Sequence, residues 1–493
     1  MADLLGLDLS WSSMAVLFVT IYITSCVKYR YFSPISDIPG PFLASFSQLW
    51  RIMAMLRGDE IEEFYDLHQK YGPFVRIGPN EVSISHEDAP QQLLLNPLDK
   101  GSWYRAGALP DYRFQSTIST TSYKDKVARS RNFMQGYSMS NLLAMQNVMD
   151  VQFGLLLDWM DYFAKVRKPM HLDKFFTFTS ADIKGELIFS RPFGFLAQGR
   201  DIDNTLSRTH KVVGIASISG FYPWLNVLIA NPLVTWSGVL PFTLLYNTAM
   251  TAIAEREKNP DARFDIFAHW YKNRREHPGD MSMRDIQAQA TLGIIAGTDA
   301  MSTGLQTFMY HMIRHPKAWQ KARDEITKAR AEGFCHGRVV SYADSQQLAY
   351  LQLCVKESLR LFGPLGMGLP RVAGEGGVRL GHRVFPKGTT LSIHPFTMML
   401  DTRIWGEDAR EFKPERWLRE DAASKEKFYM PFGLGYSQCP GMNLGKIELS
   451  KCAASIVRDY DIRQVHPEQK WKYEAFFNTL PYDWPVYVTK YQK

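Results

Sequence analysis

One stretch, residues 432–441 (FGLGYSQCPG), limits what this chain can become more than any other. It sets a single cysteine in a glycine-rich loop that runs straight into an apolar-periodic segment. Gly433, Gly435 and Gly441 let the backbone curl close to the Cys439 sulfur, and Pro440 suits the first turn of a helix continuing through Met442, Leu444, Ile447 and Leu449. A thiolate there meets unpaired backbone N–H groups and the positive end of a helix dipole. Both favour charged sulfur and moderate its electron donation, as an iron ligand requires. The competing reading of an isolated cysteine is a buried structural thiol.

The 493 residues, 45% of them hydrophobic, are ample for a sizeable core, which excludes a disordered chain. A net charge of +7 fits an anionic membrane surface or an acidic protein partner. With no long Lys/Arg run and no nucleic-acid motif, nucleic acid is not an expected partner. The five cysteines show no CxxC spacing, so reduced thiols in a cytosol-facing protein are expected rather than zinc.

Residues 9–27 carry no charge and are long enough to cross a bilayer as a helix, with Asp3 and Asp8 before them and Lys28 and Arg30 after. That asymmetry predicts a single-pass anchor with the bulk of the protein in the cytosol, whereas a cleaved signal peptide would need a basic start and a small-residue cleavage site. Pro34, Pro39, Gly40 and Pro41 predict a stiff, extended connector. Residues 64–71 read as a helix, and residues 74–77 and 82–84 as a hairpin about Gly78, Pro79 and Asn80. An aromatic, irregular stretch (102–122) precedes Lys124, Lys126, Arg129 and Arg131, whose spacing puts several cations on one side of a helix. Residues 206–250 are strongly apolar but broken at Pro223, Pro232 and Pro241, so they form no single membrane span.

Ser282 and Asp285 form a capping box that opens a helix with no stop before His315 and Pro316, roughly 50 Å long. At its middle lies the run Ala296, Gly297, Thr298, Asp299, Ala300, where Gly297 removes a side chain and Asp299 is an acid in apolar surroundings. Downstream, in order, come the E-x-x-R pair Glu357 and Arg360 on a helical segment (351–361), LPRV at 369–372, short alternating segments at 378–380, 383–385 and 389–394, and FKPERW at 412–417. A second E-x-x-R at Glu407 and Arg410 shows that the pattern alone proves little; its order before the cysteine loop is what makes it specific.

Together these motifs resemble the cytochrome P-450 family over essentially the whole chain. The resemblance implies a mainly α fold with small β-sheets (α+β), divided into an N-terminal membrane anchor at 1–31 and a haem-thiolate catalytic domain at 32–493. It implies haem b (iron protoporphyrin IX) ligated by Cys439, in a loop shaped by Phe432, Gly435 and Gly441. The family usually places Arg or His two residues before the cysteine, and Ser437 stands there instead. Arg371, Arg131 and Lys126 are then the candidate propionate partners. Glu357, Arg360 and Arg416 would form a buried charge network under the loop, one Arg being too few for both Glu oxygens and the nearby carbonyls.

By the same resemblance, the long helix crosses the distal haem face at Gly297, Asp299 and Ala300, residues 102–122 roof the substrate pocket, and residues 206–250 form a lid. Leu365, Met367, Leu369 and residues 477–480 would line the pocket. Where the family carries a Thr that holds a proton-delivering water, this chain has Ala300, and Thr303 is too far along the helix to replace it. Asp299 belongs to the proton path in this reading. With no dinucleotide fingerprint in the chain, electrons must come from outside, and the resemblance implies that NADPH supplies them through the flavins of a cytochrome P-450 reductase at the endoplasmic reticulum membrane. The expected activity is monooxygenation of a lipophilic small molecule in fungal secondary metabolism. Isomerisation, peroxide use or simple haem-ligand binding are the alternatives that Ala300 leaves open.

Overall fold

The computed structural model describes residues 11–109, 111–231, 233–234, 237, 243–258 and 265–492. Asp3, Asp8, Leu9, Pro232 and Pro241, used above, lie outside the described residues. The first helix, Trp11–Phe32, buries none of its residues and is long and apolar enough to cross a membrane. The connector after it is extended only at its end, where Pro41 has φ −57° and ψ 134°. Residues 33–38 turn twice, Ser36 N–H donating to Ser33 O (3.0 Å) and Ile38 N–H to Ile35 O (3.2 Å), because Ile35 and Ile38 bury themselves against the small sheet.

That sheet has the order β1 (Phe74–Gly78), β2 (Glu81–Ile84), β6 (Thr390–Ile393), β3 (Leu369–Val372). The hairpin β1–β2 is antiparallel, but β2 pairs parallel with β6, Glu81 opposite Thr390 and Ile84 opposite Ile393. β4 (Val378–Leu380) and β5 (Arg383–Phe385) make a separate ribbon, as do β7 (Tyr460–Gln464) with β10 (Val486–Lys490), and β8 (Lys472–Ala475) with β9 (Thr479–Tyr482).

The larger core is helical. Met283–Arg314 runs through its middle, opened by the expected capping box, in which Ser282 Oγ accepts from Asp285 N–H and the Asp285 carboxylate accepts from Ser282 N–H. It packs against Leu172–Phe189, Ala349–Leu361 and Met442–Asp459, and its burial on several sides follows from lying between them. The lid region forms the helices Thr205–Ser219, Pro223–Ile229 and Thr243–Lys258, Pro223 opening the second as its first residue. The roof begins as a tight 3₁₀ segment, Ser102–Gly107, stitched to the lid by Trp103 Nε1–H donating to Ser217 O (2.8 Å) and Asn226 Nδ2–H to Arg105 O (2.9 Å).

Candidate active site

The cysteine loop closes on itself through Cys439 N–H donating to Phe432 O at 2.8 Å. Gly435 is obligatory, since it has φ +64° and a Cβ there would lie 2.2 Å from Leu94 O. Gly441, by contrast, has an ordinary φ of −80° and caps the helix that starts at Met442, so Pro440 precedes that helix by two residues instead of forming its first turn. Cys439 lines a mainly apolar cavity of about 230 Å³ and, alone among the five cysteines, is exposed. Burial pushes its thiol up, opposed by the Gly441 N–H and by the ammonium groups of Lys126 and Lys184.

Across the cavity runs a stripe of the long helix: Gly293, Ala296, Gly297, Ala300 and Gly304 share one face at spacings of three and four. These small side chains leave a flat wall, and none carries a hydroxyl. Thr303 is turned inward and donates to Thr479 O, which excludes it as a substitute for the missing Thr. Asp299 departs from expectation. It lies roughly 100° around the helix from the middle of the stripe, lines a smaller cavity with Thr209 and Ile295, and takes a 2.7 Å hydrogen bond from His210 Nε2 on the lid helix. Burial lowers the His210 pKa, but Asp299, assisted by Glu474 and Asp201, outweighs this and holds it above the ordinary value. Gly297 faces the cavity, yet what lies against it is the stem of Lys184, whose Cε would be 3.1 Å from an added Cβ. Lys184 Nζ donates to both oxygens of Glu448 at 2.7 Å, deep in the core. Burial pushes Lys184 down and Glu448 up, and each is the other's main counterweight.

Three cations converge at one side of the cavity: Lys100 and Lys126 line it, and Arg371 stands within electrostatic reach of both. Lys126, Arg371 and Lys100 are 4%, 1% and 4% exposed, and no carboxylate pairs with any of them among the described residues. Lys100 donates to Thr117 O (3.2 Å) and Ile118 O (2.9 Å), Lys126 to Ser130 Oγ (2.5 Å), and Arg371 to Pro370 O (3.0 Å), with Arg371 Nε left unpartnered. Burial, reinforced by Lys126 and Arg371, pulls Lys100 well below the usual lysine range. Burial also brings Lys126 to about 8. Three uncompensated buried cations demand an anion. Lys100 was not legible in the sequence, because it reaches the site only through its backbone bridge to Arg371. Arg131 is a correction: it stands roughly 140° around its helix from Lys126 and is exposed to solvent. Arg129 instead pairs with Asp285 at 2.5 Å.

Below the loop, Arg360 grips Glu357 through Nε to Oε2 and a terminal nitrogen to Oε1, both 2.9 Å, so one Arg does span both oxygens. Arg416 Nε adds 2.7 Å to Oε1 and Trp417 Nε1 3.1 Å to Oε2. Arg360 also donates to Met399 O and Ala409 O at 2.7 Å, tying the network to the segment that leads into the loop. Glu357 and Arg360 are fully buried. Of the other expected lining residues, Leu365, Leu369, Phe477 and Asn478 border the cavity, whereas Thr479 and Leu480 do not and Met367 packs with Trp103 and Tyr104 in the roof.

Comparison with known proteins gives a match over residues 39–483 to the family described as cytochrome P-450. Cytochrome P-450 monooxygenase cicH of Emericella nidulans is 30% identical over 94% of this chain and 96% of that protein. Cytochrome P-450 monooxygenase mpaDE of Penicillium roqueforti is 29% identical over 94% of this chain, which spans only 55% of that longer protein. Pisatin demethylase of Fusarium vanettenii is 26% identical over 92% and 88% of the two chains.

Proposed function

The chain belongs to the cytochrome P-450 family, and from that premise we propose that it is a haem-thiolate monooxygenase that oxidises a lipophilic small molecule. The observation that carries this reading is the meeting of one cavity-facing sulfur with three buried, acid-free cations. The residues fit the group: Cys439 would hold the iron, and Lys100, Lys126 and Arg371 would neutralise the two propionates. When bound, a thiolate-ligated haem supplies dioxygen activation. The chain's own contribution is to present the sulfur, to keep the stripe from Gly293 to Gly304 free of bulk, and to exclude water with apolar walls.

The first helix supports an anchor at residues 1–31 holding a catalytic domain (32–493) at the cytosolic face of the endoplasmic reticulum. In this reading NADPH electrons arrive through a flavoprotein reductase, and the fungal relatives favour a secondary-metabolite substrate. Asp299 would then act on proton supply only indirectly, through its helix turn, since it does not border the main cavity among the described residues. Ala300 on the stripe, together with the engaged Thr303, favours a second reading, haem-thiolate chemistry without reductase.

The test is the carbon monoxide spectrum of the reduced protein, followed by comparison of metabolites from a producing host with and without reductase. A red-shifted Soret band that Cys439→Ala abolishes is expected. Its absence in folded protein overturns the proposal, and turnover independent of reductase selects the second reading.

A further inference from the structure

The turn between β8 and β9 is held from both sides. Gly366 N–H donates to Phe477 O (3.0 Å), Thr479 N–H to Pro364 O (2.9 Å) and Thr479 Oγ1 to Gly363 O (2.8 Å), while Thr303 of the long helix donates to Thr479 O. This rigid turn carries Asn478, which is 9% exposed and borders two cavities at once. One is the inner chamber above Cys439. The other lies between the roof and the lid helix, lined by Trp103, Leu109, Val213 and Ala216, and the two also share Tyr104, Ile118, Leu292, Ala296 and Phe477. Asn478 therefore stands where the chambers join.

Several other polar groups of the inner chamber are already engaged, although Ser437 Oγ in the cysteine loop is unpartnered among the described residues. Lys100 and Lys126 face the propionate site, Lys184 pairs with Glu448, and Gln289 Oε1 accepts from Thr117 N–H at 3.0 Å. Asn478 Nδ2 has no hydrogen-bond partner among the described residues, and neither has Thr117 Oγ1. A buried amide on a rigid support, left unpaired in an apolar wall, is a standing cost that a ligand atom would remove.

We propose that Asn478 is a specificity-determining residue, and that the lipophilic substrate already carries an oxygen function, hydroxyl or carbonyl, which accepts the Asn478 N–H at the junction of the two chambers. A hydrocarbon of the same shape would leave the amide unpaired and bind less well. The reaction class that supplies this substrate must therefore have installed oxygen before this enzyme acts. This inference rests on the haem-thiolate reading above.

The experiment uses the full-length haem protein and two probe series, 1-alkylimidazoles and their ω-hydroxy counterparts of graded chain length, with affinity read from the Soret shift. The imidazole anchors on the iron, so each added methylene moves the terminal group outward from the inner chamber. At one chain length the hydroxyl should tighten binding to wild type, and Asn478→Leu should cut that advantage about fivefold to tenfold while sparing the alkyl series. Asn478→Ala serves the same purpose if the leucine variant loses haem. No chain length at which the hydroxyl helps wild type overturns the proposal, as does an advantage that survives at Asn478 but disappears in Thr117→Val. Absence of any Soret shift with either series is a different failure, that of the haem-thiolate reading.

Discussion

Replacing Lys184 by Met keeps the length of the side chain that lies on Gly297 but strands the Glu448 carboxyl in the core, where its side chain is 1% exposed. Breaking a buried pair by removing one partner costs about 3–5 kcal/mol. The cheapest escape is for Glu448 to take up a proton, its ordinary value being 4.5. Keeping that carboxyl neutral costs about 4 kcal/mol near pH 7.5 and about 1.4 kcal/mol near pH 5.5. In the variant the folded pKa of Glu448 lies above its unfolded value, so stability is retained below the unfolded pKa and lost as pH rises.

Urea unfolding of the full-length protein in detergent, followed by tryptophan fluorescence, should therefore show a deficit against wild type that shrinks by about 2–3 kcal/mol between those two pH values. Lys184→Met/Glu448→Leu should recover most of the loss at the higher pH, because an apolar pair of similar volume needs no counter-ion. A deficit that is the same at both pH values, or a double variant no better than the single one, would refute the account of Lys184 and Glu448 as mutual counterweights.

Gly435→Ala places a Cβ against Leu94 O in a left-handed backbone, and should cost more than about 1–3 kcal/mol locally, read as loss of haem from purified protein while the far-ultraviolet helix signal persists. Lys100→Met should speed haem transfer to excess apomyoglobin about tenfold, the worth of one charge-assisted hydrogen bond; an unchanged rate would place the propionates elsewhere. His210 adds stability below the ordinary imidazole range, and this is lost as pH rises through its raised pKa. The gap in thermal midpoint between wild type and His210→Gln should accordingly be widest on the acid side and close on the alkaline side, and a gap indifferent to pH would sever the link to Asp299.

What could be read from the chain beforehand follows from how local each signal is. The capping box at Ser282, the small-residue stripe through Gly297 and Ala300, and the cysteine loop are each written within one turn or one helix face, so their spacing carries them. Glu357 and Arg360 sit one turn apart, but the claim that a single Arg is insufficient failed, since the bidentate grip depends on rotamers that spacing does not encode. The cations were harder still. Lys126 and Arg131 share a short helix, and only the packing of that helix decides that the first turns inward. Lys100 comes from an irregular segment with no periodicity at all. The family resemblance put Asp299 on the cavity side together with Ala300, whereas one residue on a helix is a rotation of about 100°, enough to hand it to His210 instead.

The parallel pairing of β2 with β6 bears on how the molecule is made. Glu81 and Thr390 are neighbours in the sheet although roughly 300 residues separate them in the chain. The hairpin must then wait on the ribosome with one edge unpaired until its partner emerges. Cys439 is made later still, so the loop that lines the cavity can close only on a core whose sheet partners already exist.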